Sequence, residues 1–174
     1  MTRSGLLVAV VMCGLVAGCG DDDNPTSPSG APVVFSALLS SANEVPPIAN
    51  AESTGHGAAQ VTFVVARDGT GAVTGGTATM YFQVSGLPAG TIIRGAHIHS
   101  AVAGVNGPIV VDTGISPTNT VSVSSDGGEF TFNNVAVSAP VMGGILANPL
   151  AYYFNVHTPL NPGGVARGQL VPVR

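Results

Sequence analysis

The chain has 174 residues, a length that suggests one domain with additional segments, and its formal net charge is −4 at neutral pH. It contains only five lysine and arginine residues and no tryptophan. A protein that binds nucleic acid needs a stripe of basic side chains, so nucleic acid is excluded as an expected partner.

The first segment, residues 1–18, is typical of a secretory signal peptide. It carries Arg3 near its start and then an apolar run over residues 6–16 that is too short to span a membrane comfortably. The sequence LVAGC, which ends at Cys19, resembles the bacterial lipobox, in which a diacylated cysteine becomes the mature N-terminus. We therefore expect a lipid anchor at Cys19. An ordinary signal peptide and an uncleaved anchor are the alternatives.

Residues 19–32 are predicted to form a flexible tether after the lipidated cysteine. Three aspartates are followed by proline, serine, threonine and glycine, and this composition cannot bury apolar surface. Cys13 would leave with the signal peptide and Cys19 would carry lipid, so no disulfide is expected. The domain at 33–174 must therefore be stabilised by its hydrophobic core.

From residue 33 onwards, short alternating apolar runs are separated by turns rich in glycine and proline. This pattern predicts an all-β Greek-key sandwich or barrel of about eight or nine short strands, with one helical turn within 139–149. The predicted strands are 33–40, 58–66, 76–85, 91–99, 108–113, 120–125, 129–135, 150–158 and 165–173.

Three of the predicted strands place polar side chains on the face opposite the core. Side chains alternate between the two faces of a strand, so Ala96, Ile98 and Phe154 point inward while their polar neighbours point outward. The polar set consists of His97, His99, Asn155, His157, Arg167 and Gln169. Alternation does not show whether the three strands are neighbours.

The histidines of this set are candidate metal ligands. In an H-x-H strand the two Cα atoms are about 6–7 Å apart and both rings share one face. A third ring, that of His157, would complete a three-nitrogen site, and imidazole suits copper and zinc among other metals. The alternative interpretation is structural, because neutral imidazoles can also link strands through hydrogen bonds.

The remaining polar residues also have two interpretations. Beside a metal, Asn155 and Gln169 would fix the tautomers of the histidine rings, and an exposed Arg167 would attract small anions. Alternatively, Arg167 is a structural residue that binds loop carbonyls of the sequences NPGG or GVNGP.

Three blocks of the sequence resemble the CHRD domain, a module first named from chordin. They are SANEVPP at 41–47, GAHIHSAVAGVNGPIVV at 95–111 and YYFNVHTPLNPGGVARGQL at 152–170. The resemblance covers about 35–174 and implies an extracytoplasmic β-sandwich of immunoglobulin-like or related type, in a family where chordin binds growth factors. Many members have a glutamate where this chain has Val165, so any role of that glutamate is absent.

A second, weaker resemblance is to the copper half of Cu/Zn superoxide dismutase, a Greek-key sandwich. Its H-x-H pair is similar to His97 and His99, its later histidine to His157, and its C-terminal arginine to Arg167. The zinc-loop cluster, the bridging histidine and the disulfide of that enzyme have no counterpart here.

The sequence thus supports two functions. The preferred one is a lipid-anchored, extracytoplasmic and non-catalytic module of the bacterial cell envelope, with either a binding or a structural role. A protein or another component of the envelope is its expected partner. The alternative is a mononuclear copper or zinc site at His97, His99 and His157, with redox activity on a superoxide-dismutase-like sandwich.

Overall fold

A computed structural model describes residues 30–173 of the chain. The predicted signal peptide at 1–18, the lipidation site Cys19 and most of the predicted tether lie outside the described residues, as does Arg174. Within 30–173, no helix has both the length and the apolar character needed to cross a membrane.

The described part of the chain contains eleven strands and one α-helix. The strands are β1 (Val33–Ser40), β2 (His56–Arg67), β3 (Val73–Ser85), β4 (Ile92–Ile93), β5 (Gly95–Ser100), β6 (Ile109–Asp112), β7 (Val121–Ser122), β8 (Gly128–Ser138), β9 (Tyr152–His157), β10 (Ala166–Gln169) and β11 (Val171–Pro172). Helix α1 spans Ala139–Ala147, and single 3₁₀ turns occupy Ser41–Asn43 and Pro149–Ala151.

One antiparallel sheet dominates the fold. Its strand order is β6-β5-β9-β10-β1-β2-β3-β8, β11 adds to β1, and β4 and β7 form a separate pair. The outermost strands β6 and β8 approach each other, so the sheet is nearly closed. The prediction of an all-β sandwich or barrel is therefore confirmed.

Several predicted elements differ in their bounds. The predicted strand 91–99 divides at Arg94 because Ile92–Ile93 pair with β7 whereas Gly95–Ser100 pair with β9. The helix is also longer than one turn. Its buried side chains Met142 and Ile145 are one turn apart and belong to the core, and this packing outweighs the weak helix propensity of the intervening glycines.

The core lies on the inner face of the sheet. Alternate residues of the long strands are fully buried, as the strand pattern predicts, and they form one continuous cluster. Phe63 on β2, Phe82 on β3 and Phe154 on β9 are its largest members, and the rings of Phe82 and Phe154 lie 5.4 Å apart between centroids.

The outer face of β5, β9 and β10 is covered by loops. The loop after β1 holds Asn43, whose Nδ2 donates to the Arg167 carbonyl at 3.0 Å. The loop after β5 joins this cover because Asn106 Nδ2 donates to the Val45 carbonyl at 2.9 Å. The loop after β9 joins it through a 2.9 Å bond from Asn50 Nδ2 to Asn161 Oδ1. The predicted polar face is therefore buried rather than exposed.

Candidate metal centre

The structure brings the three predicted histidines together. Strands β5 and β9 are neighbours, with Gly95 opposite His157 and His97 opposite Asn155. The ring centroids are 4.9 Å apart for His97 and His157, 5.5 Å for His99 and His157, and 5.7 Å for His97 and His99. One ring nitrogen from each histidine lies within 4.8 Å of the other two, so the three rings can converge on one ion.

Backbone carbonyls and one carboxylate fix the orientation of the rings. His99 Nδ1 contacts the Gly107 carbonyl at 2.9 Å, and His157 Nδ1 contacts the Pro162 carbonyl at 3.1 Å. His97 Nε2 lies 3.4 Å from Asp112 Oδ1. A carbonyl oxygen only accepts, so Nδ1 of His99 and Nδ1 of His157 carry the proton, and Nε2 of each of these two rings is left with a lone pair. His97 Nε2 faces the Asp112 carboxylate without forming a hydrogen bond.

Those three other nitrogens, His97 Nδ1, His99 Nε2 and His157 Nε2, are buried and have no hydrogen-bond partner among the described residues. Buried polar atoms are nearly always paired, so three unpaired atoms in one cluster need an explanation. Nε2 of His99 and Nε2 of His157 are both acceptors, so they cannot satisfy each other. A shared cation satisfies them together.

A second group of unpaired buried atoms has a different character. It comprises Glu44 Oε1, Asn155 Oδ1 and Arg167 Nη2, and thus includes both acceptors and a donor. These atoms are complementary to one another, and Arg167 Nε already lies 3.9 Å from Glu44 Oε2.

Burial keeps the histidines neutral. It lowers the pKa of all three rings and brings that of His157 to about 4, where the neighbouring His97 adds to the effect. Asp112 opposes the shift in the pKa of His97. Since the neutral imidazole is the form that binds metals, the cluster is ready to coordinate at neutral pH.

Gly95 leaves room for the ring of His97 because it has no side chain. A Cβ atom placed on Gly95 would lie 2.7 Å from His97 Cε1, well inside van der Waals contact. The His97 ring therefore lies directly against its own strand in the space that a side chain at residue 95 would fill.

Arg167 occupies a position other than the predicted exposed one. Its side chain is 2 % exposed; Nε donates to the Asn43 carbonyl at 2.7 Å and Nη1 to Asn106 Oδ1 at 2.8 Å. Its Cζ lies 4.7 Å from the centre of the Tyr153 ring. Loops cover this face, so Arg167 is not the exposed guanidinium that the anion-attracting interpretation requires. The contacts match the alternative interpretation, in which the arginine binds the loop GVNGP.

Asn155 and Gln169 form no hydrogen bond with a histidine ring among the described residues. Gln169 Nε2 donates to three carbonyls, those of Ala101, Leu150 and Tyr152. Asn155 Nδ2 points to the Gly163 carbonyl at 3.4 Å. The tautomers of His99 and His157 are instead fixed by loop carbonyls. Side-chain alternation in the strands could not predict the positions of these loops.

A family model of the CHRD domain matches residues 35–170. The chain belongs to the CHRD domain family. No curated protein and no solved structure matches it, so the likeness to superoxide dismutase depends on the order of a few residues alone. Membership of the family supports a non-catalytic module.

The three sequence blocks that resemble the CHRD domain meet at this face. The first block supplies Glu44, the second supplies the H-x-H pair and the Gly107 carbonyl, and the third supplies His157 and Arg167. Val165, at the position of the family's glutamate, is fully buried in the core, and its N–H donates to the Val156 carbonyl at 2.7 Å.

Sequence reasoning missed several residues of this CHRD domain's site. Asp112 follows the inward-facing Val111 on β6, so side-chain alternation could have predicted that its carboxylate points outward. The pairing of β6 with β5 then places it opposite His97. Tyr153 stacks on His99 with centroids 4.9 Å apart, and its hydroxyl accepts the Gly107 N–H. The buried Glu52 accepts a 2.6 Å bond from Thr158 Oγ1 and so ties two covering loops together.

Proposed function

We propose that this CHRD domain is an exported, lipid-anchored and non-catalytic module of the bacterial cell envelope that binds one copper or zinc ion through His97, His99 and His157. The observation that carries the metal site is the set of three buried, unpaired ring nitrogens that lie together. Three nitrogen ligands from histidine suit both metals.

A purely structural role for the histidines explains the hydrogen bonds of their rings but not the ring nitrogens that have no partner. It accounts for the bonds of His99 and His157 to the Gly107 and Pro162 carbonyls. It leaves one nitrogen of each of the three rings buried without a partner among the described residues, each at a cost of about 1–3 kcal/mol. A bound metal ion would accept the lone pairs of these nitrogens and so remove the cost of burying them unpaired.

The location is proposed from the N-terminal sequence. The lipobox-like LVAGC, the aspartate-rich tether and the absence of a second cysteine after Cys19 support attachment of the mature chain to a membrane through acyl chains. With Arg3 removed, the acidic mature chain has no electrostatic attraction to anionic lipid. Another component of the envelope is the expected macromolecular partner.

The metal site is tested by metal content. The purified protein is exposed to copper or zinc and freed of excess ion, and we expect close to one bound ion per chain. His99→Gln should abolish binding. His56→Gln is the matched control, because His56 is exposed and contacts only the Thr54 carbonyl. Metal that is far below one equivalent, or that His99→Gln does not reduce, would contradict the proposal.

The anchor is tested by acylation in bacterial cells. The full chain should incorporate labelled fatty acid and sediment with membranes, whereas Cys19→Ser should do neither. Cys13→Ser is the control, since that residue lies in the predicted signal peptide. Fatty-acid labelling that persists in Cys19→Ser would exclude lipidation at this residue.

A further inference from the structure

A cavity of about 270 Å³ borders the histidine cluster. Its walls include the rings of His97 and His157, together with Arg94, Asp112 and Pro162. Pockets for drug-sized ligands measure about 300–1,000 Å³, so this cavity lies just below that range and can admit a small ligand.

The coordination sphere leaves a position for such a ligand. Three histidine nitrogens fill three sites of a tetrahedral ion, and no fourth histidine, cysteine, aspartate or glutamate joins the cluster within residues 30–173. Asp112 is the nearest carboxylate, and it contacts the Nε2 side of His97 rather than the unpaired Nδ1. An ion held by the three rings would therefore have one position without a protein ligand, and two of the rings, those of His97 and His157, line the cavity.

Arg94 places a positive charge beside this position. It is held next to the cluster because its backbone N–H donates to the His157 carbonyl at 2.9 Å. Arg94 is half-buried, and its side chain forms no hydrogen bond or ion pair with the part of the chain that the structure describes. The charge of Arg94 also lowers the pKa of His157, which agrees with its proximity to that ring.

The contrast with Arg167 identifies which arginine is available to a ligand. The guanidinium of Arg167 is buried and bonded to loop oxygens, whereas Arg94 is a residue of the cavity wall. An arginine without a protein partner beside a metal ion favours a negatively charged ligand. The carboxylate of Asp112 in the same wall offsets part of that charge and so favours a single negative charge over several.

We propose that the cavity admits a small inorganic monoanion, which binds the metal ion at its open position and is held there by Arg94. This inference rests on the proposed metal site and adds its external ligand. It assigns to Arg94 the anion-binding role that the sequence had suggested for Arg167.

Azide is the probe that tests this inference. The protein is loaded with Cu(II), its copper content is measured, and azide is titrated while azide-to-copper charge-transfer absorption is recorded. We expect saturable azide binding, weakened about tenfold by Arg94→Met because one nearby positive charge is lost. Arg94→Lys should retain most of the affinity, and copper content should be the same in all variants.

Arg67→Met is the matched control for the loss of one positive charge. Arg67 ends β2, where its Nη1 donates to the Gly71 carbonyl at 2.9 Å, and it does not line the cavity. Azide affinity should be unchanged in this variant.

The outcomes separate the two proposals. Copper that binds without any azide absorption, or azide affinity that Arg94→Met leaves unchanged, overturns the anion site while the metal site stands. Failure of the protein to bind copper or zinc overturns both.

Discussion

The two faces of strand β9 are equally buried but are built from different chemistry. Phe154 and Val156 point inward and are fully buried in the apolar core. Tyr153, Asn155 and His157 point outward and are only 1–7 % exposed, because three loops cover them. Burial on the inner face follows from the hydrophobic effect, whereas burial on the outer face requires a hydrogen-bond partner for every polar atom.

The outer face meets that requirement unevenly. The hydroxyl of Tyr153 and the Nδ1 of His157 have backbone partners. The ring nitrogens that point into the histidine cluster have none. The inner face therefore supplies stability. The outer face retains buried polar atoms without protein partners, and three of them belong to the histidine rings, where a ligand can supply the missing bonds.

The largest expected effect is a cavity on the inner face. Phe154→Ala should lower the free energy of unfolding by about 3–5 kcal/mol, as is typical for a fully buried phenylalanine. Urea denaturation measures the change. The control is Leu38→Ala on β1, whose side chain is 80 % exposed and should contribute less than about 0.5 kcal/mol. Losses of similar size in both variants would remove the distinction between buried and exposed apolar residues.

The next largest effect is a loss of stability in acid, because the buried His157 on the outer face becomes protonated when the chain unfolds. The pKa of His157 is about 4 in the folded protein and near 6.5 when the chain unfolds, so the unfolded state binds more protons between these values. The metal-free protein should lose on the order of 3 kcal/mol of stability as the pH falls from 6.5 to 4. Urea denaturation at several pH values measures this slope, and His157→Gln should make it shallower.

Glu44 has the opposite pH dependence and must be controlled for. Burial raises its pKa from 4.5 to about 7, with Arg167 opposing the shift, so its contribution to stability is lost as the pH rises through this range. The histidine effect is best measured in a Glu44→Gln background. A pH slope that is the same with and without His157 would show that its ring is not buried in the neutral form.

The smallest effect is a change in metal affinity on substitution of Asp112, which lies beside His97 at the edge of the outer face. Asp112→Asn should weaken copper or zinc binding by about tenfold, because the carboxylate beside His97 Nε2 is replaced by a neutral amide. Stability should change little, since the Asp112 side chain is 55 % exposed and the new side chain can still accept the Gly114 N–H. Competition with a chelator measures the affinity. Asp126→Asn, an exposed change in another turn, is the control, and equal affinities in the two variants would exclude a role for Asp112.

The inner face could be predicted from the sequence, but much of the outer face could not. Alternation identified Phe154 as inward and His157 as outward because side-chain direction in a strand is a local property. The pairing of β5 with β9 and the folding of loops over Arg167 depend on distant parts of the chain. No local pattern therefore indicated that Arg167 is buried or that Arg94 lines the cavity. The positions of Gly107 and Pro162, whose carbonyls orient two rings, could not be predicted either, because they also depend on how the loops fold over the sheet.

The pairing of β5 with β9 has a consequence for how the protein acquires its ion. His97 and His157 are sixty residues apart in the chain and become neighbours only when these two strands form their ladder. An unfolded chain offers an ion only the H-x-H pair, so the ion binds the native state preferentially and shifts the folding equilibrium towards it by mass action. A captured ion would then do what a covalent crosslink does elsewhere, because it would hold two remote segments of the chain together.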